Sequence, residues 1–210
     1  MDAPVLPQQP TDARVEIDSV EWLFEPDWAG ERLIARRDPA GVQLTDEAGT
    51  LVTDRDEVCR LLDAAVLAGR ATVDGVWTAQ PFLDEAGLDA GVDGPPRRAF
   101  VAIDLLELDG ATLLDVPFQE RRRLLDSVIE VGVQVRLSPI VRQPLAGWLE
   151  GWRGQGFTHY LARHMNARYL PGTRSDDWLR VSIASRAASP GVVARLVGVG
   201  RTRGTRRIRD

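Results

Sequence analysis

The chain has 210 residues and a mass of 23.2 kDa, and its 44% hydrophobic and 27% charged residues support a sizeable core and exclude disorder throughout. All 26 basic residues are arginines, which excludes chemistry that needs a side-chain primary amine, such as Schiff-base formation or nucleotide transfer to a lysine. The net charge of -5, the single cysteine Cys59 and the lack of a long uncharged stretch predict a soluble, cytoplasmic protein without a disulfide or membrane span.

Residues 1–20 are rich in proline and show little apolar periodicity, so we expect an extended arm that precedes a domain covering 21–183. The turn sequence Asp38 to Gly41 separates two short alternating runs, Arg32 to Arg37 and Val42 to Leu44. This arrangement predicts a β-hairpin at the start of the domain.

A first helix should follow the hairpin, because apolar residues recur at spacings of three and four from Val58 to Val66. Thr53 or Asp54 is expected to cap its start, and Gly69 to end it.

Two buried strands are then predicted, Ala71 to Thr78 and Phe100 to Leu106. A Gly- and Asp-rich loop that ends at Pro95 and Pro96 separates them, and we expect this loop to be mobile.

Pro117 is well placed to begin a second helix, whose Leu124, Leu125, Val128 and Ile129 form an apolar face. On that interpretation, Arg121, Arg122 and Arg123 form the solvated side. The remaining predicted elements are a third helix that Pro144 opens and two strands, Phe157 to Ala162 and Trp178 to Ile183. The irregular alternation predicts an α+β fold with mainly antiparallel sheets flanked by helices.

Few residues carry an obvious catalytic signature. His159 and His164 are the only histidines, no Cys/His cluster has metal spacing, and no nucleophile elbow is present. The last residues concentrate basic charge in a tail that could contact nucleic acid through Arg195, Arg201, Arg203, Arg206, Arg207 and Arg209.

The run from Phe24 to Arg32 resembles the signature of the adenylation domain of ATP-dependent DNA ligases, Glu-Pro-Lys-Trp-Asp-Gly-x-Arg in the bacterial repair branch. Two further segments are similar to this family in the same order, Phe100 to Arg122 and Ala167 to Val181. The resemblance covers roughly Glu21 to Ile183 and implies the ligase adenylation-domain fold, which is ATP-grasp-like. Ligases of this type carry an oligonucleotide-binding barrel next, for which the residues after Ile183 are too few.

The departures from the family pattern fall on its chemical positions. Asp27 stands where the family has the lysine that attacks the α-phosphate of ATP, and Ala29 stands where it has an acidic residue. Val76 and Thr158 replace two glutamates that in the family help to hold the metal and position the nucleotide. Ile103 replaces an aromatic residue of the family's adenine pocket.

The implied nucleotide cleft combines these replaced positions with others that keep the family residue or its charge. The resemblance places the vestigial cleft at Glu25, Asp27, Gly30, Arg32, Val76, Asp104, Thr158, Arg163 and Arg180. For Arg32 and Asp104, a purely structural role in pairing with neighbours is the competing interpretation.

The sequence therefore predicts a catalytically inactive ligase-like protein, a pseudo-nucleotidyltransferase kept as a binding or interaction module, with DNA or a DNA-repair protein as its partner. No cofactor or metal is expected, although ATP and magnesium serve the family. Two alternatives stay open: an active nucleotidyltransferase with a non-lysine nucleophile, Asp27 or His159, and a non-specific DNA-binding protein that acts through its Arg-rich tail, residues 184–210.

Overall fold

The computed structural model describes residues 4–14, 17–82 and 97–183. Their elements, in chain order, are β1 (Gln9–Ala13), β2 (Trp22–Pro26), β3 (Glu31–Asp38), β4 (Gly41–Thr45), β5 (Leu51–Val52), α1 (Asp56–Ala65), β6 (Ala71–Thr78), a 3-10 turn (Gln80–Phe82), β7 (Ala99–Leu108), β8 (Ala111–Thr112), α2 (Phe118–Val128), β9 (Val135–Leu137), α3 (Ala146–Gly154), β10 (His159–His164) and β11 (Arg174–Ser182). None of the helices in this part of the chain is long and apolar enough to cross a membrane.

The strands form two sheets, which confirms the predicted α+β class. One sheet has the order β1-β11-β10-β2, and the other has the order β5-β4-β3-β6-β7-β8, with β9 paired to β7. Most pairings are antiparallel, but β1 with β11 and β7 with β9 are parallel. The predicted hairpin is β3 and β4, and the predicted strand Ala71 to Thr78 is β6 without a change of bounds.

Each sheet packs against helices through its own apolar cluster. The larger cluster joins one face of β3, β6 and β7 to α1 and α2, with Leu33, Val73 and Leu105 among its buried members. The smaller cluster joins β2, β10 and β11 to α3, with Phe24, Tyr160 and Trp152 at its centre. The opposite face of β3, β6 and β7 carries a small apolar cluster of Ile34, Leu106 and Tyr169 together with the polar groups near the site.

The N-terminal arm is extended, but part of it belongs to the first sheet. Strand β1 pairs with β11 from Gln9 to Ala13, and the backbone N–H of Gln8 donates to the Tyr169 hydroxyl at 2.9 Å. Residues 4–13 thus close one edge of the sheet, which places Asp12 beside the site.

The first helix differs from the prediction at both ends. It begins at Asp56 with Arg55 as its N-cap and no side-chain capping bond, so neither Thr53 nor Asp54 caps it. It ends at Ala65 rather than at Gly69, because the next residues turn into an isolated bridge with the segment after α2.

Helix α2 corrects the interpretation of its three arginines. Arg121 is 1% exposed and Arg122 is 8% exposed, and only Arg123 lies in solvent. Because 121 and 122 lie three and four residues after the buried Phe118, they share the buried side of the helix. Their charge is tolerated there because Asp104 and Asp126 accept from them.

The last two strands are displaced from their predicted bounds by a few residues. Strand β10 begins at His159 rather than Phe157, and β11 begins at Arg174 rather than Trp178. The loop that ends at Pro95 and Pro96 and the Arg-rich tail lie outside the described residues.

Candidate functional site

A cleft of about 430 Å³ opens where the turn between β2 and β3 meets β6, β10 and β11. Six of the nine sequence-predicted site residues line it: Asp27, Gly30, Arg32, Val76, Thr158 and Arg180. The other three, Glu25, Asp104 and Arg163, lie buried in its interior wall. The tertiary structure therefore brings the predicted set together around one place.

Asp27, directly after β2, forms an ion pair with the guanidinium of Arg180 in β11. Its carboxylate Oδ2 accepts from Arg180 Nε at 2.6 Å, and its backbone N–H donates to the carbonyl of His159 at 3.2 Å. Arg180 also lies 3.7 Å from Asp12 and 3.2 Å from His159 Nδ1. The ion pair therefore lines the cleft and ties the end of β2 to β11 and β1.

The turn that carries Asp27 is fixed by the end of β6. The backbone N–H of Ala29 donates to Gln80 Oε1 at 2.8 Å, and its carbonyl accepts from the Thr78 hydroxyl at 2.5 Å. A Cβ at Gly30 would lie 2.6 Å from the carbonyl oxygen of Trp77, so no larger residue fits at this close approach. The turn is consequently a preformed part of the cleft rather than a flexible loop.

The two positions at which the family resemblance implies metal-binding carboxylates hold uncharged side chains. Val76 and Thr158 stand at the two expected carboxylate positions, and neither supplies an anionic oxygen. Within residues 4–14, 17–82 and 97–183 no group of three or more His, Cys, Asp or Glu could hold a metal ion.

The charges of the lining also oppose a triphosphate. The arginines that line the cleft are Arg32, Arg174 and Arg180, and the carboxylates are Asp12, Asp27 and Glu47. Since the charges balance, no net positive potential remains to attract a polyanion. The residues present therefore do not fit the ATP and magnesium that the family resemblance implies.

Behind the cleft lies a buried ionic network centred on Arg163 of β10. Its guanidinium donates to Asp104 at 2.7 Å and to Glu25 at 2.7 Å. The same group lies between two aromatic rings, 4.1 Å from the centroid of Phe118 and 4.0 Å from that of Trp178. Such stacking stabilises a desolvated cation, so Arg163 joins the two sheets and does not face a ligand.

Asp104 of β7 receives a second guanidinium from α2. Arg121 donates to both of its carboxylate oxygens at 2.8 Å. Burial alone would raise the pKa of Asp104, but Arg121 and Arg163 outweigh it and the pKa lies below its usual value. This carboxylate is therefore held ionised by two cations, which supports the structural interpretation of Asp104.

Arg32 of β3 forms a further buried pair, with Asp74 of β6. Its Nε and Nη2 donate to the two carboxylate oxygens at 2.5 and 2.7 Å. Burial alone would lower the pKa of Arg32, but Asp74 outweighs it and the pKa is raised. Tyr169 donates its hydroxyl to the same carboxylate at 2.7 Å, and burial and Asp74 raise the pKa of that hydroxyl. Arg32 therefore lines the cleft, but its positive charge is neutralised by Asp74 inside the fold.

Sequence reasoning missed several residues of this region, among them Asp12, Gln80, Arg121 and Arg174. Only Arg121 left a signal, because it recurs at helical spacing between Phe118 and Leu125 of the apolar stripe. The other three reach the cleft through pairings between distant segments, such as β1 with β11.

Sequence comparison with known proteins finds relatives that are DNA ligases or LigD end-joining proteins. The multifunctional non-homologous end joining protein LigD of Mycolicibacterium smegmatis is 29% identical over 172 residues, which cover 78% of this chain and 22% of that protein. DNA ligase C1 of the same organism is 27% identical over 197 residues, 83% of this chain and 57% of the relative. No protein-family model matches the chain.

Solved structures give the same result. The ligase domain of LigD from M. tuberculosis superposes with a TM-score of 0.67 and 25% identity, over 84% of this chain and 58% of that one. A mycobacterial DNA ligase D complexed with ATP and MES gives a TM-score of 0.66 and 26% identity, over 85% and 60%. The chain thus spans about a fifth of the LigD proteins and somewhat over half of their ligase domains.

Proposed function

We propose that this chain is a catalytically inactive DNA ligase-like nucleotidyltransferase domain that serves DNA repair as a binding module. Its homologues are LigD and related ATP-dependent DNA ligases of the bacterial repair branch. DNA is the partner that the relatives' names suggest. On this proposal the domain has lost nucleotide transfer but keeps the adenylation-domain fold.

The ion pair between Asp27 and Arg180 carries the proposal. The position that would need a nucleophilic amine holds a carboxylate, and that carboxylate is engaged by a guanidinium at 2.6 Å. A carboxylate in this state is a poor nucleophile, because attack would require it to leave its cation and approach a phosphate of like charge.

The lining of the cleft supports the same conclusion independently. Val76 and Thr158 supply no carboxylate for a metal, and the balanced charges of the cleft do not neutralise a triphosphate. The buried network of Glu25, Asp104 and Arg163 explains why the fold persists without the chemistry, since these residues hold the two sheets together.

The test is a search for the covalent adenylate. The full chain is incubated with ATP and magnesium and its intact mass is measured, with the ligase domain of M. tuberculosis LigD treated in parallel as a positive control. We expect no added AMP on this chain. A stoichiometric AMP adduct would overturn the proposal and favour the alternative of a non-lysine nucleophile.

A further inference from the structure

A second pocket, of about 250 Å³, adjoins the cleft, and Trp28 and Gln80 line both of them. Its apolar walls come from the Trp28 ring, Phe157 and Leu137. Trp28 belongs to the Phe24 to Arg32 segment that resembles the family signature, but none of the pocket's lining residues is among the nine predicted cleft residues.

The Trp28 ring is held in one orientation. Its Nε1 donates to the Ser138 hydroxyl at 2.9 Å, and Phe157 packs edge-on against it with ring centroids 5.0 Å apart and an interplanar angle of 85°. Since Trp28 is only half-buried, part of its surface remains available to the pocket. A fixed, partly exposed indole is a preorganised stacking surface.

Polar groups surround this surface. Gln80 accepts from Ala29 with its side-chain oxygen, which leaves its amide N–H groups to donate elsewhere. Gln155 is exposed at the rim and offers a second amide, and Arg136 adds a guanidinium whose Nε donates to the carbonyl of Val133. The pocket therefore combines one aromatic surface with several hydrogen-bonding groups.

We infer that this pocket binds an unpaired nucleobase of single-stranded DNA, stacked on Trp28. A nucleobase presents a flat ring together with donors and acceptors on its edge, which matches an indole flanked by two amides. The adjoining cleft, lined by both arginines and carboxylates, leaves room for the neighbouring part of the strand. The inference rests on the proposed role as a DNA-binding module.

The charge balance of the cleft sets the expected character of this binding. With three arginines matched by three carboxylates, phosphate contacts contribute little, and stacking supplies most of the affinity. Binding at the pocket should therefore depend on bases and only weakly on salt, and it should tolerate changes of base sequence.

The experiment measures fluorescence anisotropy of labelled oligothymidylate with the full chain at elevated salt. An abasic oligonucleotide of equal length and charge is the control. We expect binding of oligothymidylate and much weaker binding of the abasic strand. Equal binding of the two strands, or no binding of either, would overturn the inference.

Variants then locate the contact. Trp28→Ala should weaken binding by about tenfold, as expected for the loss of one stacked base, whereas Trp28→Phe should keep most of it. Trp148→Ala is the matched control, because Trp148 is a half-exposed tryptophan on α3 outside the pocket. Circular dichroism checks that each variant folds.

The outcomes separate this inference from the proposed function. Unchanged binding in Trp28→Ala, or an equal loss in Trp148→Ala, would show that the pocket does not hold the base. An AMP adduct together with Trp28-dependent binding would instead refute the inactivity and leave the nucleobase pocket in place.

Discussion

At the residue scale, Asp27, which stands where the proposed function places a lost nucleophile, has a network of structural contacts. Its carboxylate bonds to Arg180 of β11, and its backbone N–H bonds to β10. Arg180 in turn lies within 3.7 Å of Asp12 in β1. A residue at the mouth of the cleft thereby links three segments, so its replacement alters the charge of the whole cleft.

A rescue experiment tests how far the chemistry has been lost. Asp27→Lys alone should not restore adenylation, because the introduced ammonium would face Arg180 and because Val76 and Thr158 still leave the metal without carboxylates. The triple variant, Asp27→Lys with Val76→Glu and Thr158→Glu, is the smallest change that restores both the nucleophilic lysine and the metal-binding carboxylates. The measurement is the intact mass after incubation with ATP and magnesium.

Rapid self-adenylation of the single variant would contradict the assignment of Val76 and Thr158 as the lost metal ligands. The double variant Val76→Glu with Thr158→Glu, which keeps Asp27, serves as the control and should stay unmodified.

At the scale of elements, α2 contributes an ionic tie as well as an apolar face. Arg121 donates to Asp104 through two nitrogens and to the carbonyl of Ala167 at 3.0 Å. Arg163 of β10 meets the same carboxylate, so one helix and two sheets converge on Asp104. Removing one partner of such a network leaves a buried charge without compensation.

Two arginines of α2, two residues apart, allow a matched test. Arg121→Ala should lower the free energy of unfolding by about 3–5 kcal/mol, the usual cost of breaking a buried pair. Arg123→Ala should change it by less than about 0.5 kcal/mol, because Arg123 is exposed and bonds only to Glu120 on the surface. Urea titration followed by circular dichroism measures both; similar values would show that Asp104 is not the anchor of the helix.

At the scale of the whole molecule, the charge is unevenly distributed. The chain is acidic overall, with a net charge of -5, whereas six arginines lie between Arg195 and Arg209, outside the described residues. Two modes of DNA binding are thus expected to be separable: stacking at the Trp28 pocket, and electrostatic contact through the tail.

Deleting the residues after Ser189 tests the second mode. If the tail neutralises phosphates, its removal should weaken binding to duplex DNA at low salt and flatten the dependence of affinity on salt, since fewer counterions are released. Anisotropy titrations at several salt concentrations give both quantities. Duplex binding as tight as that of the full chain would show that the tail contributes nothing, and would assign the contact to the residues before Ser189.

By itself the sequence determined the fold class and the longer strands, and six of the nine residues that it singled out line the cleft. Local periodicity predicts elements such as β6, and the spacing of the motif segments implied the ligase-like frame before any contact was known. Only the tertiary structure decided what those residues do. Whether a charged side chain is solvated, as for Arg123, or neutralised in the core, as for Arg121, depends on a partner from a distant segment. The same holds for Asp27, whose partner Arg180 is brought to it by the pairing of β2, β10 and β11.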